Sequence, residues 1–224
     1  MPSKILIATT CRWFSAARLA MAFAKAGCSV EMACPSGHPA LLTRAIQNNY
    51  AFNGLTPLRS LQAAILAAEP DFIVPCDDLT MRYLHRLYDI EAQSVEGGSK
   101  ALCELIAFSF GDPAGFPITG SRDLFMAMVD QENIRTPENS IVNSAEEMEQ
   151  WLGEDGLPAV LKIDGTSGGE GVKIVHTLQE AIRAYRILRA PLSTIVVAKR
   201  TCLDRDWNCL MPWLWQRERS VSIQ

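Results

Sequence analysis

Lys162 stands just ahead of the run Gly165-Thr166-Ser167-Gly168-Gly169-Glu170-Gly171, in which four of seven residues are glycine. Glycine lets the backbone take positive φ and come close to a ligand, so successive N–H groups can converge on an anion. The hydroxyls of Thr166 and Ser167 add donors, and the Lys162 ammonium adds a full positive charge. This is chemistry for holding a phosphate. The same composition also suits an ordinary mobile hairpin, and glycine content alone does not separate the two.

Spacing removes two familiar phosphate loops. Counted from Gly165, a Walker A motif would need glycine at the sixth position and then Lys and Ser or Thr, but Glu170 stands at the sixth and Val172 to Val175 read as a strand. A dinucleotide fingerprint would need a third glycine after Gly169 and Gly171, where Lys173 and Ile174 stand instead. What remains is a flap between two antiparallel strands. Ala159, Val160, Leu161 and Ile163 form the first, and Val172, Ile174 and Val175 the second.

The segment PAVLKIDGTSGGEGV, preceded by GSRDLFMAMVDQENIRTP, resembles the first half of an ATP-grasp domain over about residues 118–176. In that superfamily a basic residue opens a helix, a short passage ending in proline follows, and then come a lysine-bearing strand and a glycine-rich flap. The resemblance makes Arg122 the first basic phosphate ligand and Lys162 the second, with Thr166, Ser167, Gly168, Gly169 and Gly171 in the flap. Arginine rather than lysine at position 122 is similar to the carbamoyl phosphate synthetase branch.

Composition leaves room for this reading. The chain has 224 residues, enough for one large or two smaller domains with a substantial core. Net charge is −4 with acidic and basic residues interspersed, so neither nucleic acid nor an anionic membrane is expected as the main partner. No signal peptide or transmembrane run is evident, which predicts a cytoplasmic protein. Seven cysteines, at 11, 28, 34, 76, 103, 202 and 209, lack C-x-x-C spacing and read as scattered reduced thiols, mostly small core residues. His38, His85 and His176 have no metal-ligand spacing and are expected to be structural or exposed.

From the amino terminus, Lys4 to Ala8, an Ala-rich helix from Ser15 and a run from Cys28 to Cys34 make βαβ grammar, which predicts a parallel sheet. Arg12, in the first turn between strand and helix, is expected to be a solvated surface residue, with an anion contact as the alternative. Leu58 to Ala68 reads as a helix, Asp71 to Pro75 as a third strand, and Leu79 to Ile90 and Ala101 to Phe110 as further helices. Asp77 and Asp78 follow the third strand, at the end of the sheet where ligands gather in open α/β folds. They are expected to contact a substrate or, preferably for one of them, to cap the next helix. Pro113, Gly115 and Pro117 mark the expected boundary between domains 1–117 and 118–224.

Beyond it, Ser121 is expected to cap a helix carrying Arg122 in its first turn, where a cation opposes the helix dipole. Ser144 with Glu147 and Thr177 with Glu180 read as capping boxes. A short helix is predicted over Asp206 to Trp215 and a strand over Arg219 to Gln224. The resemblance implies a small open parallel α/β domain followed by an α+β lid with an antiparallel sheet, and Gln224 at the edge of an adenine pocket. It implies an ATP-dependent ligase joining a carboxylate to an amine or thiol through an acylphosphate, with magnesium ligands expected beyond Gln224 and little turnover by this chain alone. The alternative is a non-catalytic nucleotide-binding or dimerisation module. The terminal strand, with no downstream neighbour, is expected to leave an open edge and favour a homodimer.

Overall fold

The computed structural model describes residues 2–94, 97–153, 156–163, 171–189 and 221–223. They divide into two compact units, one up to Phe116 and the other from Pro117 onward.

The first unit is built on four parallel strands, β1 (Lys4–Ala8), β2 (Ser29–Cys34), β3 (Ile46–Ala51) and β4 (Phe72–Pro75), in the order β3-β2-β1-β4. Leu6, Ile7 and Ile73 are wholly buried because helices cover both faces of the sheet. One face packs on Ala16 and Ala20 of α1 (Ser15–Lys25). The other packs on Leu61 and Ile65 of α2 (Pro57–Ala68), Leu84 of α3 (Asp78–Ala92) and Ile106 of α4 (Lys100–Phe110). Burial of each such leucine or isoleucine side chain is worth about 1.5–3 kcal/mol.

Strand β3, with the sequence IQNNYA, was not anticipated. It is the sheet edge, four of its six residues are exposed, and its polar side chains give no alternating apolar signal. Tyr50 on this edge donates to the buried carboxylate of Glu31 at 2.6 Å, and Asn48 donates to the same group at 3.1 Å. Burial and the Glu31 charge push the Tyr50 hydroxyl up to about 12. The proline-rich passage expected to mark the domain boundary holds a 3-10 turn at Pro113–Gly115 and the short helix α5 (Phe116–Gly120).

The second unit is α+β. Its helices are α6 (Arg122–Gln131), α7 (Ala145–Leu152) and α8 (Leu178–Arg189), and its antiparallel strands are β5 (Ser140–Val142), β6 (Ala159–Ile163), β7 (Val172–Val175) and β8 (Val221–Ile223). Met148 and Leu152 of α7 and Ala181, Tyr185 and Leu188 of α8 pack on Leu161, Ile163, Val175 and Val221. Both expected caps form. Glu147 N–H donates to Ser144 Oγ at 3.1 Å, and Glu180 N–H to Thr177 Oγ1 at 3.2 Å. Each glutamate returns to the amide one residue before the cap, Asn143 at 2.7 Å and His176 at 2.8 Å.

The sheet order β5-β8-β6-β7 corrects the expectation for the terminal strand. Strand β8 is not an open edge: it lies between β5 and β6 and pairs with both, so its backbone groups are already engaged. Paired on both sides, β8 offers no edge through which a homodimer could form. The helix expected over Asp206 to Trp215 lies outside the described residues.

Candidate functional site

Strand β6 alternates strictly. Ala159, Leu161 and Ile163 are buried in the core, so Val160 and Lys162 project from the opposite face of the sheet. Lys162 is the last β6 residue registered against β7, opposite Val172. Beyond that pair the Ile163 amide donates to the Gly171 carbonyl at 3.0 Å, and Gly171 takes φ +72°, a conformation suited to glycine. The hairpin anticipated from the sequence is therefore closed at both strands, with Lys162 at its mouth. Thr166, Ser167, Gly168 and Gly169 lie outside the described residues, as does Gln224.

Arg122 is the first residue of α6. Ser121 precedes it with extended backbone, but contrary to the expectation from sequence its side chain does not cap the helix. Its hydroxyl bonds the Asp123 carboxylate instead. Burial lowers the Lys162 ammonium below its usual range, and the Arg122 charge lowers it further. The two cations, on different elements, thus lie within electrostatic reach of each other.

Register adds a residue that the sequence reading passed over. Ser222 of β8 is paired with Lys162 of β6, so the two side chains share the face away from the helices. Ser222 is 4% exposed, and among the described residues its hydroxyl has no hydrogen-bond partner. A buried hydroxyl beside a cation is unusual in a sheet centre, where apolar residues are the rule. Its only sequence signal is a polar residue between Val221 and Ile223.

In the first unit, Asp77 and Asp78 separate in role. Asp77 caps α3 by accepting from Thr80 N–H at 2.8 Å and from Thr80 Oγ1 at 2.9 Å. The same carboxylate accepts from Thr9 Oγ1 at 2.8 Å, Thr10 N–H at 2.7 Å and Thr10 Oγ1 at 2.9 Å. Five donors occupy what a carboxylate can accept, about four lone-pair sites. A substrate contact by Asp77 would have to displace these bonds. Asp78, in the first turn of α3, is exposed.

The histidines also divide. His38 is buried, accepts from Ala40 N–H on Nδ1 at 3.0 Å, and therefore carries its proton on Nε2 when neutral. Burial and then the Arg12 charge lower its pKa, so Arg12 is close to His38 although exposed itself. His85 is buried and stacks on Phe116 at 3.9 Å between ring centres, with an interplanar angle of 6°. His176 is exposed.

Among the described residues, no group of three or more His, Cys, Asp or Glu side chains is placed to hold a metal. No helix among them is long and apolar enough to cross a membrane.

No protein-family profile matches the chain. Phosphoribosylamine–glycine ligase of Listeria monocytogenes serotype 4b (strain F2365) is 31% identical over 97 residues, 43% of this chain and 23% of that protein. The enzyme of the same name from Escherichia coli O6:H1 (strain CFT073) is 35% identical over 82 residues, 36% of this chain and 19% of that protein. The chain thus spans less than a quarter of the curated relatives it matches. Among solved structures, N5-carboxyaminoimidazole synthetase from Staphylococcus aureus complexed with ADP aligns with a TM-score of 0.63 at 12% identity, over 99% of this chain and 48% of that one. The biotin carboxylase domain of Hydrogenobacter thermophilus 2-oxoglutarate carboxylase, in complex with MgADP, ADP and bicarbonate, aligns with a TM-score of 0.60 at 16% identity, over 100% of this chain and 44% of that one. L-amino acid ligase from Bacillus licheniformis aligns with a TM-score of 0.60 at 12% identity, over 100% of this chain and 46% of that one. The chain shares the fold of these solved structures: a parallel four-stranded α/β unit and a separate antiparallel four-stranded unit with Lys162 at the mouth of its β6–β7 hairpin.

Proposed function

We propose that the second unit binds the phosphates of ATP between Arg122, Lys162 and the glycine-rich flap, as part of an ATP-dependent carboxylate ligase. The observation that carries the reading is the placement of Lys162 on the sheet face away from the helices, at the mouth of the β6–β7 hairpin; burial lowers the pKa of its ammonium, and the charge of Arg122 at the start of α6 lowers it further. An anion beside both reverses that penalty. At about 4 Å and an effective dielectric near 20, each cation–anion contact is worth about 4 kcal/mol before the cost of desolvation. Ser222, on the face that carries Lys162, supplies a hydroxyl able to donate to or accept from the same nucleotide.

The chemistry follows from the charges. Attack of a carboxylate oxygen on the terminal phosphorus builds negative charge on the transferred phosphoryl and on departing ADP, and fixed cations lower that barrier by electrostatic stabilisation. The acylphosphate then yields to an amine or thiol. Lys162 and Arg122 orient the chain and offset charge, and neither needs to move a proton. Asp78, exposed at the carboxyl end of the parallel sheet, is the residue proposed to meet the second substrate.

Calorimetric titration with ATP tests the reading, using the wild type, Lys162→Ala and Arg122→Ala. Weakened binding by both variants supports it, and equal affinities for all three proteins remove the pair from the site. ADP formation that depends on an added carboxylate separates a ligase from a module that only binds nucleotide.

A further inference from the structure

Two loops leave the same end of adjacent strands in the first unit. Ala8 ends β1 in register with Ala33 of β2, and the Thr9 amide extends the pairing by donating to the Ala33 carbonyl at 2.9 Å. Arg12 follows four residues beyond Ala8, just ahead of α1. His38 follows four residues beyond Cys34, the end of β2, and caps the 3-10 turn Pro39–Leu42. That turn packs against α1, with Ala40 buried in one cluster with Ala16 and Ala20. Arg12 and His38 therefore lead into two elements that touch, at the carboxyl end of the sheet, where ligands gather in open α/β folds.

The two side chains are complementary in kind. The loop after β1 is fixed by Asp77, which accepts from Thr9 Oγ1, Thr10 N–H and Thr10 Oγ1, so Arg12 projects from a constrained backbone. It is exposed, and among the described residues no carboxylate lies within ion-pair distance of it. His38 is 1% exposed, its Nδ1 is occupied by the Ala40 amide, and among the described residues its Nε2 has no hydrogen-bond partner. Because Nδ1 accepts, Nε2 carries the proton and directs it away from that amide. Leaving a buried donor unpaired costs about 1–3 kcal/mol. Burial and then the Arg12 charge lower the His38 pKa, so the ring is neutral at neutral pH and the guanidinium acts on it. Together they offer donors and positive charge and nothing else, which fits an acceptor carrying negative charge. Ser36 and Gly37, ahead of His38, are exposed, and a side chain at Gly37 would meet nothing within 4 Å, so the loop has room to admit a ligand atom to the ring.

We propose that Arg12 and His38 form a binding site for an oxyanion, the phosphate or carboxylate group of a small-molecule ligand, at the carboxyl end of the first unit's sheet. The Nε2–H of His38 donates to one oxygen and the Arg12 guanidinium to another, a charge-assisted pair of bonds. The site is made from residues of the first unit alone and draws on neither Lys162 nor Arg122.

NMR of the isotope-labelled full chain tests this. The chain has three histidines, and His38→Asn, which keeps an acceptor for the Ala40 amide, identifies the His38 ring signals. Should that variant not fold, His85→Phe and His176→Asn assign the ring by elimination. Sodium phosphate and sodium acetate are titrated separately at neutral pH, with sodium chloride holding ionic strength constant. The expected result is a saturable shift of the His38 Nε2 signal with at least one of the two anions, and the anion that produces it identifies the ligand group as phosphate or carboxylate. Arg12→Gln, at an exposed position, is expected to weaken this binding about tenfold or more, and Lys162→Ala to leave it unchanged. Absence of a saturable shift with both anions, an equal affinity in Arg12→Gln, or loss of the shift in Lys162→Ala overturns the proposal. Because the signal comes from the His38 ring, the outcome does not depend on whether ATP binds at Lys162.

Discussion

Arg122 and Lys162 stand forty positions apart in the chain, yet the charge of the first lowers the pKa of the second. Burial is the larger cause, so Arg122→Ala raises the Lys162 pKa only part of the way to its ordinary value. A pH titration of the lysine side-chain resonance by NMR checks this. In ATP binding, Lys162→Ala is expected to weaken affinity about ten- to a hundredfold, or about 1.4–2.8 kcal/mol. Because nucleotide favours the ammonium form, affinity falls as pH rises through the depressed Lys162 pKa, and binding in that window takes up protons. Calorimetry in buffers of different ionisation enthalpy measures the uptake.

Ser222 tests whether the Lys162 face is built for a ligand. A buried hydroxyl without a partner costs stability, so Ser222→Ala is expected to stabilise the protein by about 1 kcal/mol. It is also expected to weaken ATP binding, the trade found when a polar group is kept for function. Urea unfolding and nucleotide titration of the same variant read the two effects separately.

Asp77 holds together parts of the first unit that the chain keeps far apart. Asp77→Ala removes the α3 cap and strands the buried hydroxyls of Thr10 and Thr80, with an expected loss of about 3 kcal/mol in unfolding free energy. Asp77→Asn retains acceptors and costs less. Asp78→Ala, at an exposed position, leaves stability within about 0.5 kcal/mol, so an effect on catalysis would be separable.

Acidification is expected to destabilise the first unit through its two buried histidines. Burial lowers the pKa of both His38 and His85 below the ordinary 6.5. The native state thus favours neutral imidazole. This contribution is fully present above the unfolded value near 6.5 and is lost as pH falls through it toward the folded values. His85→Phe preserves a ring against Phe116 and removes one titrating group, so its stability changes less steeply across that window. Unfolding midpoints measured over the pH range give the comparison.

Strand β8 is a structural member of its sheet, with Val221 only 1% exposed. Val221→Ala is expected to cost about 2 kcal/mol by leaving a void in the core. The change should appear as an earlier unfolding midpoint without a change in association state, read by denaturation and by sedimentation.

The sequence by itself determined the elements whose signals are local. The apolar runs of β1, β2 and β4, the paired caps at Ser144 and Thr177, and the lysine-bearing hairpin are each encoded within a few residues. Strand β3 escaped because its edge position lets polar side chains face water, and periodicity is informative only where one face is buried. Tertiary structure decided everything that depends on register or strand order. It placed β8 in the sheet centre, set Ser222 beside Lys162, brought Arg122 within reach of that lysine, committed Asp77 to three threonines, and brought the loops of Arg12 and His38 to one end of the parallel sheet. Hydrogen bonding between strands distant in sequence makes those choices, and no local pattern records which strand lies next to which.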